Sequence, residues 1–231
     1  GSGLAYARER MDDSIRTRRD LAELTGLPLL AILPVAAKGA DKKATKGAKD
    51  AKASGELLPD QAAFRRLLAR VKPDPRSRET SVAFLGLSGD RTAPEIVVTL
   101  AEFARWEKLD IAVVAGEASD RIAGALETKG RRVLGRGNVE VARLADLVNG
   151  SRPALRQFQQ AVGRADLGRV DAPSPLENVD AAAALDLADR IVLVLRADKL
   201  DRARLKATFD ALADYDDRLA GVALVGDMPA A

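Results

Sequence analysis

The feature that most constrains this chain is an alternation of two kinds of segment. Short apolar runs recur at Ser81–Gly86, Ile111–Val114, Leu167–Val170, Ile191–Leu195 and Gly221–Val225. Longer stretches with helical spacing of apolar residues separate them. A run of four to six residues with almost no polar face belongs in a sheet covered on both sides. A helix between successive strands is the crossover that parallel pairing requires. The expectation is an α/β fold: a doubly wound, mostly parallel sheet in three α/β/α layers.

The helices are expected at Asp60–Val71, Pro94 to about Lys108, Ser119–Glu127, Val139–Val148, Pro153–Gly163, Pro175–Ala188 and Asp201–Tyr215. In the first of these, Phe64, Leu67, Leu68 and Val71 form one apolar face. Upstream, Leu4–Leu24 reads as a charged helix with Asp20 capping Leu21–Leu24, and Gly26 ends it. Leu27–Pro34, bounded by prolines, reads as a short extended segment or edge strand. Aromatic residues make up only 3% of the chain, so the core must be built from Val, Leu, Ile and Ala.

Charge divides the chain. Six lysines and two aspartates lie between Ala36 and Gly55, a local net charge of +4. The total is +3, so everything else carries −1. Basicity therefore belongs to one low-complexity segment and not to the folded part, which argues against nucleic acid as a partner. The expected division is 1–3 a cloning remnant, 4–35 a helix and short extended segment, 36–58 a flexible Lys/Ala-rich linker, and 59–231 the α/β domain. The chain has no Cys and no His, which removes thiol nucleophiles, disulfides, imidazole bases and zinc sites. No apolar stretch is long enough to span a bilayer.

A phosphate-binding loop belongs between the first domain strand and its helix. That chemistry needs curled backbone N–H groups, a Lys reaching the β/γ oxygens and a Ser or Thr for Mg²⁺. Here the loop reads Gly86-Leu87-Ser88-Gly89-Asp90-Arg91-Thr92-Ala93-Pro94, and no lysine occurs between Lys72 and Lys108. Asp90 adds negative charge where phosphates would sit, and Pro94 removes an N–H donor. The layout is P-loop NTPase-like with degenerate motifs: vestigial positions at Gly86, Ser88, Gly89, Asp90, Arg91, Thr92, Ala93 and Pro94. Arg91 could replace the missing lysine only with a planar fork in place of a point charge.

These residues, in this order, resemble the bacterial tyrosine kinases of polysaccharide export (BY-kinases) and their co-polymerase relatives. The most specific stretch is Met11 to Pro34, with its Asp13-Ser14-Ile15-Arg16-Thr17 and Asp20-Leu21 elements followed by Gly26-Leu27-Pro28. In that family such a segment follows the last transmembrane helix and leads through a linker into the cytoplasmic domain. The family's acidic pair after the second strand corresponds to Ala115-Gly116-Glu117, where Glu117 alone remains. Its Asp-Pro motif corresponds to Asp171-Ala172-Pro173-Ser174-Pro175. Its oligomerisation helix carries a Glu-x-x-Arg-x-x-Arg pattern, of which Arg65 is kept. Arg65 and Arg66 are therefore the oligomer or partner candidates.

With the lysine and one acid gone, the resemblance implies a pseudokinase with no catalytic residues, no metal site, and ATP/Mg binding lost. It further implies the cytoplasmic side of a bacterial inner membrane, reached through flanking transmembrane helices. The role implied is regulation of exopolysaccharide or capsule chain length or export. Partners would be itself, a tyrosine kinase or export proteins. Two alternatives are an atypical active kinase or ATPase using Arg91 and Asp171, and a MinD/ParA-like ATPase.

Overall fold

The computed structural model describes residues 15–35, 60–71, 81–87, 92–116, 139–149, 156, 159–162, 164–178 and 180–230. Among these, seven strands form one sheet: β1 (Leu29–Leu33), β2 (Ser81–Gly86), β3 (Ile111–Ala115), β4 (Val139–Arg143), β5 (Leu167–Ala172), β6 (Arg190–Arg196) and β7 (Leu219–Val225). Their spatial order is β1-β7-β6-β2-β5-β3-β4, and every neighbouring pair is parallel. Six α-helices accompany them: α1 (Arg18–Thr25), α2 (Gln61–Val71), α3 (Thr92–Trp106), α4 (Leu144–Asn149), α5 (Ala181–Asp186) and α6 (Arg202–Ala211).

The expected layers follow from side-chain alternation along the strands. Val82, Phe84, Ile111, Val113, Val192 and Val194 face one core with Phe64 and Leu67 of α2 and Ile96 and Leu100 of α3. Ala83, Leu85, Ala112, Val114, Leu193 and Leu195 face the other, with Leu21 of α1, Leu185 of α5 and Leu205 of α6. The central strands β2, β3 and β5 are buried along their whole length. The core is aliphatic, with Phe64 stacked on Phe103 at 5.7 Å as its aromatic pair.

The segment before the domain joins this sheet. Strand β1 pairs with β7, in line with the edge strand expected from Leu27–Pro34. Its neighbouring helix starts at a capping box, where Thr17 Oγ1 accepts from Asp20 N at 3.0 Å and Asp20 Oδ2 accepts from Thr17 N at 2.9 Å. Thr17 is thus the cap, and Asp20 is the reciprocal partner three residues on, not the cap itself. Gly26 closes the helix at φ 64°, a left-handed turn that glycine adopts without strain. Arg18 then ties the helix to the chain after β7, donating from Nε to Met228 O at 2.7 Å and pairing with Asp227.

Five helical expectations change. Within Leu4–Leu24 the described residues are helical only from Arg18, with Ile15–Thr17 outside the helix. Val139–Val148 is not one helix: Val139–Arg143 is a strand and α4 begins at Leu144. Val139, Val141 and their polar neighbours alternate with period two, and pairing with β3 satisfies that pattern. Pro175–Ala188 is helical only from Ala181 to Asp186. Pro175–Glu177 is a turn, held by Ser174 Oγ accepting from Leu176 N at 3.4 Å and Ser174 O accepting from Asn178 N at 3.0 Å. Helix α6 ends at Ala211 and gives way to a 3-10 turn over Ala213–Arg218. Helix α3 begins at Thr92, so Pro94 lies inside its first turn and not at its start. The expected helix Ser119–Glu127 lies outside the described residues, as do most of Pro153–Gly163 and the Lys-rich segment.

Candidate functional site

The sheet order places a crevice. After β2 the chain crosses by α3 over β5 to reach β3, whereas after β5 it crosses back over β2 to reach β6. Connections leaving β2 and β5 therefore diverge, with α3 and α5 on opposite faces. In open α/β sheets, ligands bind outside the carboxyl ends of strands at such a reversal. The sequence-expected loop leaves the sheet at this point.

Gly86 is the last residue of β2, pairing with Val194 of β6, and it is buried. Thr92 and Ala93 open α3 and are buried, with Pro94 half-buried beside them. All three stand in the first turn of a fifteen-residue helix whose start lies at the carboxyl edge of the sheet. Ser88, Gly89, Asp90, Arg91 and Glu117 lie outside the described residues.

Asp171 sits in β5 opposite Phe84 and is only 4% exposed. Among the described residues one hydrogen bond reaches its side chain: Gly116 N, just past β3, donates to Asp171 Oδ2 at 3.2 Å. Burial pushes the carboxyl up to about 7, and the Gly116 N–H only partly opposes that. The approach demands glycine, since a Cβ at position 116 would stand 2.9 Å from Asp171 O and 3.1 Å from Oδ2.

Mg²⁺ needs ionised hard oxygens in octahedral array. Asp171 is buried, and its Oδ2 accepts from the Gly116 backbone N–H. Among the described residues no group of three acidic side chains is placed to hold a metal.

Two features escaped the sequence reading. Arg169, two residues before Asp171 on the same face of β5, is 1% exposed. Its Nη1 donates to Gly168 O at 3.2 Å, its guanidinium lies 5.8 Å from the Phe84 ring centroid, and Nη2 has no hydrogen-bond partner among the described residues. Desolvation lowers its pKa to about 10, so it is still a cation at neutral pH. The only signal was a lone charge inside the run Leu167–Val170. The second feature is Arg204 of α6, whose Nε donates to Leu87 O at 2.7 Å. No local pattern could have marked it.

Arg65 and Arg66 lie on the exposed face of α2, away from this edge. Arg65 pairs with Glu107 at 3.4 Å, and Arg66 Nε donates back to Ala62 O at 3.2 Å. No helix among the described residues is long and apolar enough to cross a membrane.

Solved structures share this arrangement. The chimerical protein CapA2B2 aligns with a TM-score of 0.66 at 15% identity, over 92% of this chain and all of its own (100%). The BceF tyrosine kinase domain gives 0.61 at 17% identity, over 92% and 98% of the two chains. The kinase domain of the Escherichia coli tyrosine kinase ETK gives 0.59 at 16% identity, over 90% and 94%. The fold is that of these tyrosine kinase domains. No family model matches the sequence, and no curated protein is significantly similar to it. The fold is thus shared with these solved structures at 15–17% sequence identity.

Proposed function

We propose that this chain is a non-catalytic regulatory or interaction domain. It would serve an inner-membrane protein that governs chain length or export of an exopolysaccharide or capsule. The observation that carries this reading is the state of the one described acid at the switch point. Asp171 is only 4% exposed and its Oδ2 accepts from Gly116 N at 3.2 Å, so the acid is packed between two strands. The loop sequence adds to this, with no lysine from Pro73 to Glu107 and an aspartate at position 90. Placement on the cytoplasmic side, and partnership with an active tyrosine kinase, with export proteins or with itself, rest on the kinship of fold and on the Met11–Pro34 resemblance. Incubating the domain with ATP, Mg²⁺ and Mn²⁺ tests the reading. It predicts phosphorylation and ATP turnover no higher than in a Thr92→Ala/Asp171→Ala double variant.

The fold likeness to tyrosine kinase domains favours one second reading. In it, Arg91 supplies the phosphate charge and Asp171 the acid of an atypical kinase. It predicts Mg²⁺-dependent, saturable nucleotide binding that Arg91→Ala abolishes.

A further inference from the structure

The first carbonyl beyond β2 is held from a distant helix. Leu87 follows Gly86, the last residue in register with β6, so its carbonyl has left the sheet ladder. Arg204 supplies the donor, Nε to Leu87 O at 2.7 Å, from the first turn of α6. The same guanidinium pairs through Nη2 with Glu177, in the turn that follows β5 and its Asp171–Pro175 stretch. Arg204 is itself well placed: Asp201 caps α6 by accepting from Ala203 N at 2.9 Å, and Thr208 Oγ1 donates to Arg204 O at 2.9 Å. One side chain therefore joins the exit of β2, the exit of β5 and the start of α6. These are the two strand exits whose divergence makes the crevice.

The chemistry requires an arginine. A guanidinium is a rigid fork whose nitrogens can serve two acceptors on different elements at once. A lysine ammonium on its flexible stem carries no such fixed spacing. Leu87 lies five residues before Thr92, where the buried start of α3 fixes the chain again.

We propose that Arg204 is a positioning residue for this edge: a latch that sets where the chain leaves β2 and makes that exit move together with the turn after β5. Nucleotide has no part in it, so it stands or falls separately from the non-catalytic reading. A contact on α6 or on the Glu177 turn would be passed through the latch to the start of the loop.

Amide hydrogen exchange on the whole chain tests this, comparing wild type with Arg204→Met, Arg204→Lys and Glu177→Gln. Arg204→Met is expected to speed exchange in a peptide spanning residues 85–96 by about tenfold or more, the effect of losing a charge-assisted hydrogen bond. Peptides from β6 and β7 should be unchanged. Arg204→Lys should restore only part of the protection, and Glu177→Gln should give a smaller increase because the Leu87 contact remains. Unchanged exchange at 85–96 in Arg204→Met would overturn the latch. So would an equal rise in every core peptide, or full protection in Arg204→Lys. If Arg204→Met fails to fold, the Lys and Gln variants still decide.

Discussion

The N–H of Gly116, just past β3, donates to Oδ2 of Asp171 in β5 at 3.2 Å, joining two paired strands beside the candidate crevice. Among the described residues this bond is the one polar support of a carboxyl that burial has lifted to about 7. Asp171 therefore links the stability of the domain to pH. Its folded pKa lies above the unfolded value of 3.8, so the native state holds the proton longer. The resulting stability is fully present below about pH 4 and is lost as pH rises through 7. Asp171→Asn should abolish that slope and raise stability near pH 8 by an amount on the order of a few kcal/mol, at about 1.4 kcal/mol per pKa unit. Urea denaturation of both proteins from pH 5 to about 8 reads it. Parallel slopes would contradict the assignment.

Gly116→Ala tests the close approach from the other side. The new Cβ would meet Asp171 O at 2.9 Å, a backbone atom in a buried strand with little room to yield. Overpacking of this kind costs about 1–3 kcal/mol. Denaturant midpoints should fall accordingly, and an unchanged midpoint would show that β3 and β5 separate more easily than the packing implies.

Arg169 should be a liability to the fold. A fully buried cation with one weak hydrogen bond and an unpartnered Nη2 has surrendered its hydration for little return. Arg169→Met keeps much of the volume and removes the charge. It is expected to raise stability by roughly 1–3 kcal/mol, seen as a higher thermal midpoint. A lower midpoint would mean that the guanidinium has partners that outweigh its desolvation.

Gly221 carries the N-terminal arm. Its φ is 151°, and a Cβ there would meet Pro28 O at 2.5 Å and Leu30 Cγ at 2.7 Å, where β1 lies along β7. Gly221→Ala should cost about 2 kcal/mol or more and loosen β1 from the edge. Limited proteolysis should then cleave between residues 26 and 35 faster than in wild type. Equal cleavage rates would show that the arm is held without this contact.

The sequence made the interior of the sheet plain and its borders less so. Runs such as Ile191–Leu195 could only be strands buried on both faces, and they are. Strand β4 was hidden because Val139-Glu140-Val141-Ala142-Arg143 alternates on a sheet edge and runs straight into the helix Leu144–Asn149. Asp171 was visible only through the resemblance, as the acid of the Asp-Pro motif matched by Asp171-Ala172-Pro173-Ser174-Pro175. Its surroundings were not, because they come from afar: Gly116 is 55 residues away. The Arg204–Leu87 bond spans 117 residues, beyond any local pattern.

The most direct test of the central claim is calorimetric titration of the purified domain with ADP and ATP, with and without Mg²⁺. A vestigial site predicts no binding heat and no thermal stabilisation at millimolar nucleotide. Micromolar, Mg²⁺-dependent binding that disappears in Arg91→Ala would contradict it and make this fold a working nucleotide enzyme.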